Sequence, residues 1–559
     1  MRRTLPVAVL PFAVVLAFCA KPEFDLVIRG GEVLDGTGGA ARRADVGIKG
    51  DRIAALGDLS GRSAGKEIDA RGLSVAPGFI DVQGQSGVTL LVDGRSESHI
   101  RQGITTEIVG EGGTPALWTP DTLDRDAVER FKISLQWKGF EGYLRYLESK
   151  GTSINVGSFI PATMVRKEIV GDDARDPTAE ELSGMEAIVD QAMGQGGFGL
   201  SSALIYPPGA YAKTKELVAL AKVAARHGGI YITHVRGESF RVKEAIGEAI
   251  AIGEAAGLPV VIYHLKVAAK PFWGTMNEVG QIVEQARARG LSVSACQYPY
   301  IAGGTGLAAC LPTWAQDGGR EKMLERLADP KLRARIRREI ETTIEGWENL
   351  IAGAGFEGIQ IASVPSDMDQ RLLGKRLSQI AAERTQDPWE TFFQLLLESQ
   401  GRIGALYHMM SEEDVRTAMA FPWVSVGTDA SALSAEGELG RGHPHPRAYG
   451  TFPRILGRYV REEKVLQLPE AIRKMTHLAA EQLQIPERGL IKEGYFADLV
   501  LFDAATVNDN ATFEEPKKYP TGIHYVIVNG VVTVDGGQHT GARAGKALFG
   551  PGYRKGPSS

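Results

Sequence analysis

Four residues carry the chemistry this sequence offers: Glu111, His234, His264 and Asp429, each placed just after a short apolar run. Imidazole nitrogens and a carboxylate suit zinc and similar divalent ions. His234 ends Ile230-Tyr231-Ile232-Thr233, and His264 ends Pro259-Val260-Val261-Ile262-Tyr263 about 30 residues further on, the length of one βα unit. Neighbouring parallel strands bring their ends to one rim, close enough to share an ion. A lone histidine is more often a core residue than a ligand; two at equivalent strand ends reverse that preference. Asp429 closes Val424-Ser425-Val426-Gly427-Thr428. There it could take a proton from water that zinc has acidified to a pKa of about 7 and relay it to a leaving group, although an aspartate in that place also suits a helix N-cap. Glu111 stands in Val109-Gly110-Glu111-Gly112-Gly113, where glycines let the backbone turn sharply toward an ion. Without a following Gly-Lys-Ser/Thr the loop is no phosphate cradle, and a solvated loop glutamate is the plain alternative.

The elements that must position these residues alternate. Eight apolar runs read as strands: Phe79 to Val82, Thr105 to Val109, Asn155 to Phe159, Phe198 to Ser202, Ile230 to Thr233, Pro259 to Tyr263, Leu291 to Ala295 and Trp423 to Gly427. Helical stretches near Val242–Ala256 and Asn277–Arg289 separate some of them at about 30-residue spacing. The fold class is therefore α/β, with a (β/α)8 barrel as the expected architecture and a doubly wound open sheet as its rival. Ile359-Gln360-Ile361-Ala362 is a further strand within an insertion around 303–420. Both chain ends differ from this middle. Phe24-Asp25-Leu26-Val27-Ile28, Asp45 to Ile48, Arg52 to Leu56, and the late runs Ala497 to Phe502, Tyr525 to Val528 and Val531 to Val534 are short strands. The pair Gly30-Gly31 and the dipeptide Asn529-Gly530 read as hairpin turns. The expected organisation is a leader over 1–22, a small β-sandwich domain from 23–75 plus 486–550, and the barrel over 76–485.

The chain has 559 residues, 43% hydrophobic and 23% charged, with a net charge of -5 and no basic block, which gives no sign of nucleic-acid binding. Arg2-Arg3 before the apolar stretch from Leu5 to Phe18 reads as a signal peptide, which places the protein in the bacterial periplasm or, through a lipid on Cys19 after Leu16-Ala17-Phe18, on a membrane surface. Cys296 and Cys310 then remain, enough for one optional bridge and no disulfide framework. Nothing in the sequence sets an oligomeric state.

With these residues in place, the chain resembles the D-aminoacylase (N-acyl-D-amino-acid deacylase) branch of the amidohydrolase superfamily over nearly all of its length. The resemblance rests on Ala76-Pro77-Gly78-Phe79-Ile80-Asp81, Gly103-Ile104-Thr105-Thr106, Tyr231-Ile232-Thr233-His234-Val235-Arg236, His264-Leu265-Lys266, Tyr298-Pro299-Tyr300, Gly427-Thr428-Asp429, His443-Pro444-His445-Pro446-Arg447 and Gly450-Thr451-Phe452-Pro453-Arg454. It implies a TIM-like metal-bearing barrel with a β-sandwich from both ends. It implies that His234 and His264 hold the metal, that Asp429 is the catalytic aspartate, and that Lys266, Tyr298 and Arg447 bind a substrate carboxylate. The sequence departs from the family at Gln83-Gly84-Gln85, where the family has His-x-His, at Glu111, near where it has a cysteine, and in lacking a lysine at the end of the Phe198 run. The expectation is then one zinc per chain, with another divalent ion as the alternative, on Glu111, His234 and His264. The expected activity is hydrolysis of N-acyl, D-configured by resemblance, amino acids or a related dipeptide. Two rivals stand beside it: a cyclic amide or lactone hydrolase on the same scaffold, and a non-catalytic exported binding protein.

Overall fold

A computed structural model describes residues 21–342 and 346–554; the expected leader up to residue 20, with Cys19, lies outside the described residues. Eight parallel strands form the barrel: Phe79–Asp81, Ile104–Val109, Asn155–Ser158 running on into Ile160–Pro161, Gly199–Ala203, Ile230–His234, Val260–Ile262, Val293–Gln297 and Val424–Val426. Each coincides with one of the eight apolar runs. The ring closes where Val82 N–H donates to Val426 O at 3.4 Å and Gly84 bridges Ala430 in parallel. Closure removes both sheet edges, and it is what separates a barrel from the open-sheet rival.

The strands are buried on both sides, so they read as continuous apolar runs. The helix Val242–Ala256 shows how the outer layer is specified. It buries Val242, Ala245, Ile246, Ala249, Ile250 and Gly253, a stripe at three- and four-residue spacing, and ends at Gly257. Ala179–Gly194 begins with a complete capping box, the Thr178 hydroxyl accepting from Glu181 N–H and the Glu181 carboxylate from Thr178 N–H.

Strands from both chain ends join in a nine-stranded sheet, the small β-sandwich, around Leu26, Ile28, Val46, Ile53, Leu499 and Leu501. The Asn529-Gly530 turn is a hairpin as expected, joining Ile523–Val528 to Val531–Asp535. Gly30-Gly31 is not a turn. Phe24–Val33 is one strand with a bulge between Ile28 and Gly31, where the Asp45 carboxylate accepts from Gly30 N–H at 2.7 Å. The glycines serve the bulge because a Cβ on Gly31 would lie 2.4 Å from Val75 Cγ2. Phe79 joins this unit to the barrel. It stacks on Phe452 with ring centroids 5.3 Å apart and lies 6.5 Å from Phe502, a buried position where truncation to alanine costs about 3–5 kcal/mol.

The insertion between the last two barrel strands is a small unit of its own. Ala302–Gly306, Gly404–His408 and Ile359–Ser363 form an antiparallel sheet with Gly404–His408 in the centre, and Leu377, Ile380, Phe392 and Leu396 fill a separate core. Cys296 and Cys310 are both buried and unbridged.

Candidate active site

The rim at the C-terminal ends of the barrel strands opens into a cavity of about 470 Å³, lined by Glu111, His234, His264, Lys266, Tyr298, Asp429 and Arg447 among others. All seven residues singled out from the sequence therefore meet in one place.

His234 is the last residue of its strand, and His264 follows Val260–Ile262 by two residues. Their rings stand nearly perpendicular, with centroids 4.4 Å apart. Glu111 arrives from the loop after the second barrel strand. Its Oε1 lies 3.1 Å from His234 Nδ1 and 3.2 Å from His264 Nε2. One ligand atom from each residue falls within 4.8 Å of the other two. Burial pushes the Glu111 carboxyl up, but its hydrogen bonds to His234 and His264, and their charge, hold it well below the ordinary carboxylate range. The group is thus an anion aimed at two imidazoles.

Glu238, unremarked in the sequence, stands behind both histidines. Its Oε1 is 2.9 Å from His264 Nδ1 and 2.5 Å from Lys266 Nζ, and its Oε2 is 3.8 Å from His234 Nε2. Lys266 Nζ lies 2.7 Å from the same His264 Nδ1, so this ring nitrogen meets a carboxylate and an ammonium together, while Nε2 is turned to Glu111. Burial and the Lys266 ammonium push His264 down; Glu238 and Glu111 more than reverse this and raise it to about 9. Glu238 is placed by Glu348 of the insertion, whose carboxylate accepts from Glu238 N–H at 2.9 Å. Burial pushes Glu348 itself up to about 7.

The donor set fits a divalent ion: one ionised carboxylate oxygen and two imidazole nitrogens converge, a carboxylate fixes the far side of one imidazole, and Nε2 of His234 is buried without a hydrogen-bond partner among the described residues.

Asp429 follows the eighth strand. Its backbone has φ 48° and that of His264 φ 35°, left-handed values for non-glycine residues that cost about 1–3 kcal/mol each and concentrate at functional sites. The conformation at Asp429 is held from below. The Asp81 carboxylate accepts from Gln83 N–H at 3.1 Å, from Thr428 N–H at 2.8 Å and from the Thr428 hydroxyl at 2.5 Å, and Asp429 N–H donates to Gln83 O at 2.8 Å. Arg447 Nη1 lies 2.9 Å from Asp429 Oδ2, yet out of line for a hydrogen bond, so Nε and Nη1 have no acceptor among the described residues. The guanidinium carbon of Arg447 and the Lys266 ammonium lie 4.5 Å and 5.6 Å from the Tyr298 ring centroid. The result is a cationic corner beside the carboxylate–imidazole cluster.

Gln83 and Gln85 do not point away from the site. Gln83 Nε2 donates to Glu111 Oε2 at 2.7 Å and Gln85 Nε2 to the same oxygen at 2.5 Å. Gly84 between them cannot carry a side chain, because a Cβ would fall 1.8 Å from Glu107 Oε1. A second buried group, Asp81, His99 and Glu107, lies behind this turn. Glu107 Oε1 accepts from Ser86 N–H at 3.0 Å, and with Asp81 it braces the ends of the first and last strands.

Residues 66–534 match the model of the amidohydrolase family. The chain belongs to the amidohydrolase family. This amidohydrolase is 36% identical to a D-aminoacylase of Alcaligenes xylosoxydans xylosoxydans, over 94% of this chain and 97% of that one. A solved D-aminoacylase, studied for a binuclear metal center with one-metal activation and second-metal attenuation, superposes with a TM-score of 0.79 at 34% identity, covering 94% of this chain and 100% of that one. An N-acyl-D-glutamate deacylase from Bordetella bronchiseptica, solved with zinc and a phosphonate mimic of the tetrahedral intermediate, also gives 0.79, at 31% identity over 94% and 99%. The kinship read from the motifs, to D-aminoacylases, therefore holds along nearly the whole amidohydrolase, and so does the architecture of barrel and β-sandwich.

Proposed function

We propose that this amidohydrolase, a hydrolase of carbon–nitrogen bonds other than peptide bonds, cleaves N-acyl-D-amino acids with one divalent ion on Glu111, His234 and His264 and with Asp429 as the base. The observation that carries the reading is the convergence of three ligand atoms within 4.8 Å beside a carboxylate and a buried guanidinium. Zinc in this donor set would supply a polarised carbonyl and an acidified water. The chain's own groups do the rest. Arg447 offers the unpaired Nε–H and Nη1–H to the free carboxylate of the substrate, and a guanidinium fork suits that partner. Lys266, tethered by Glu238 and His264 Nδ1, has one further N–H donor for the same anion, and the Tyr298 ring fixes the spacing between the two cations. Asp429 takes the proton from the attacking water and passes it to the amide nitrogen as the C–N bond breaks. The D-configuration is drawn from the substrates named for the relatives. An amidohydrolase acting on a cyclic amide or lactone would leave the two orphaned Arg447 donors unexplained.

The test is direct: N-acetyl-D-amino acids turn over, and the corresponding carboxyl amides do so with a KM raised by about tenfold or more, the loss of one charge-assisted contact. Equal kcat/KM for acid and amide would exclude the carboxylate-binding role.

Two further results are expected. Glu238→Gln keeps the shape but removes the charge behind His264, and zinc retention against a chelator should weaken by about 10–100-fold. Unchanged retention would reduce Glu238 to a partner of Lys266. Second, a centre restricted to one ion should not be slowed by excess metal. Rates measured from equimolar zinc to a large excess should stay level, in contrast to the second-metal attenuation named for the related D-aminoacylase; a progressive fall would show that a second site exists.

A further inference from the structure

The buried carboxylate of Glu111 and the half-buried one of Asp429 face the same cavity, and two like charges close together repel. Something must neutralise or hydrogen-bond both. The side-chain amide of Gln85 does so with its two N–H bonds. Nε2 donates to Glu111 Oε2 at 2.5 Å and to Asp429 Oδ1 at 3.2 Å. Gln83 makes the second bond to the same Glu111 oxygen at 2.7 Å. Its amide cannot flip without loss, because Oε1 accepts from the Cys296 thiol at 3.5 Å, and Cys296 Sγ in turn accepts from His264 N–H at 3.4 Å. A continuous path of hydrogen bonds thus runs from the backbone of His264 through Cys296, Gln83, Glu111 and Gln85 to Asp429.

This path has a geometric consequence. Glu111 Oε2 receives two N–H donors and has no lone pair left for an ion in that direction, so Oε1 is the oxygen turned to the histidines. The same amide that orients the ligand also holds the base.

We infer that Gln83 and Gln85 are positioning residues: their N–H groups occupy the space between Glu111 and Asp429 where a second cation would otherwise bridge the two carboxylates, and thereby aim Glu111 at one ion and hold Asp429 in place. The inference rests on the single-ion reading above and deepens it. The amides stand in for a metal by supplying hydrogens where a cation would supply charge, a substitution that does not depend on metal supply.

The test uses the full-length protein with zinc as the probe. Gln85→Met and Gln83→Met keep the length of the side chain and remove the donors. In each, zinc affinity measured by chelator competition should fall by about 10–100-fold. At saturating zinc, kcat should fall by about tenfold for Gln85→Met with KM within about twofold, because a misplaced base affects the reacting state and not substrate binding. Gln85→Asn, which restores the amide on a side chain one methylene shorter, should recover part of the loss. The double substitution Gln83→His with Gln85→His replaces donors by lone pairs aimed at Glu111 Oε2 and Asp429 Oδ1, and elemental analysis should then find two zinc ions per chain instead of one. The inference is overturned if both methionine variants keep wild-type zinc affinity and kcat, or if the double variant still holds a single zinc. A wild type that holds zinc and cleaves substrate alongside such indifferent variants would sink the inference alone; a wild type that holds no zinc would sink the parent reading with it. Thermal melting of each variant separates these effects from loss of the fold.

Discussion

Replacing Asp429 by asparagine should lower kcat by about 10²–10⁴-fold, the range for loss of a positioned acid–base group, which corresponds to about 3–5 kcal/mol at the transition state. The substitution preserves volume and retains an oxygen that can accept from Gln85 Nε2, now 3.2 Å from Asp429 Oδ1. Zinc content should therefore stay at its wild-type level. Substrate binding should hold or tighten. Arg447 Nη1 lies 2.9 Å from Asp429 Oδ2, and without that negative charge the guanidinium is left entirely to the substrate carboxylate. A large fall in kcat with KM unchanged or lower distinguishes a base from a binding residue. Steady-state kinetics with metal analysis on the same preparation decide it, and a kcat within tenfold of wild type would remove Asp429 from the chemistry.

Replacing His264 by alanine should abolish metal retention and reduce turnover to background, at least about a thousandfold, since the several kcal/mol of transition-state stabilisation supplied by an ion is lost with it. The histidine touches Glu111 at 3.2 Å through Nε2 and Glu238 at 2.9 Å through Nδ1, so its removal deletes a ligand and the contact that joins two buried carboxylates. Lys266 still pairs with Glu238 at 2.5 Å, which keeps that carboxylate compensated and the fold in place. Elemental analysis should read no zinc. Full activity with no bound ion would refute the metal-dependent mechanism outright.

The barrel was legible because its strands are buried on both faces and therefore continuous in apolar residues, while glycines mark the turns between them. His234 and His264 were legible for the same reason, each standing where such a run stops. Other parts were not. Glu238 sits in an irregular turn four residues after His234, where no periodicity distinguishes it from a solvated glutamate; it becomes visible only once two strands place Lys266 and both imidazoles around it. The insertion showed one strand, Ile359 to Ala362, but not its sheet, since the partner Ala302–Gly306 is rich in glycine and of low strand propensity. Gln83 and Gln85 read from the sequence as a deletion of ligands. Their hydrogen bonds depend on Glu111 from the second strand and Cys296 from the seventh, a tertiary fact that no local pattern encodes. Gly30-Gly31 read as a turn because bulge and turn ask the same backbone freedom of glycine, and only the close approach of Val75 separates them.

The sheet that draws strands from both chain ends sets a timetable for synthesis. Ser74–Pro77 pairs with Leu499–Phe502, so its partner leaves the ribosome about 420 residues later, roughly 20–80 s at about 5–20 residues per second. During that interval one flank of the nascent N-terminal sheet offers open backbone groups and apolar side chains such as Val75 and Ala76. Nascent chains therefore carry an open sheet edge for most of their translation, and termination anywhere before Leu499 leaves Ser74–Pro77 without this partner strand, however well the barrel residues could pack.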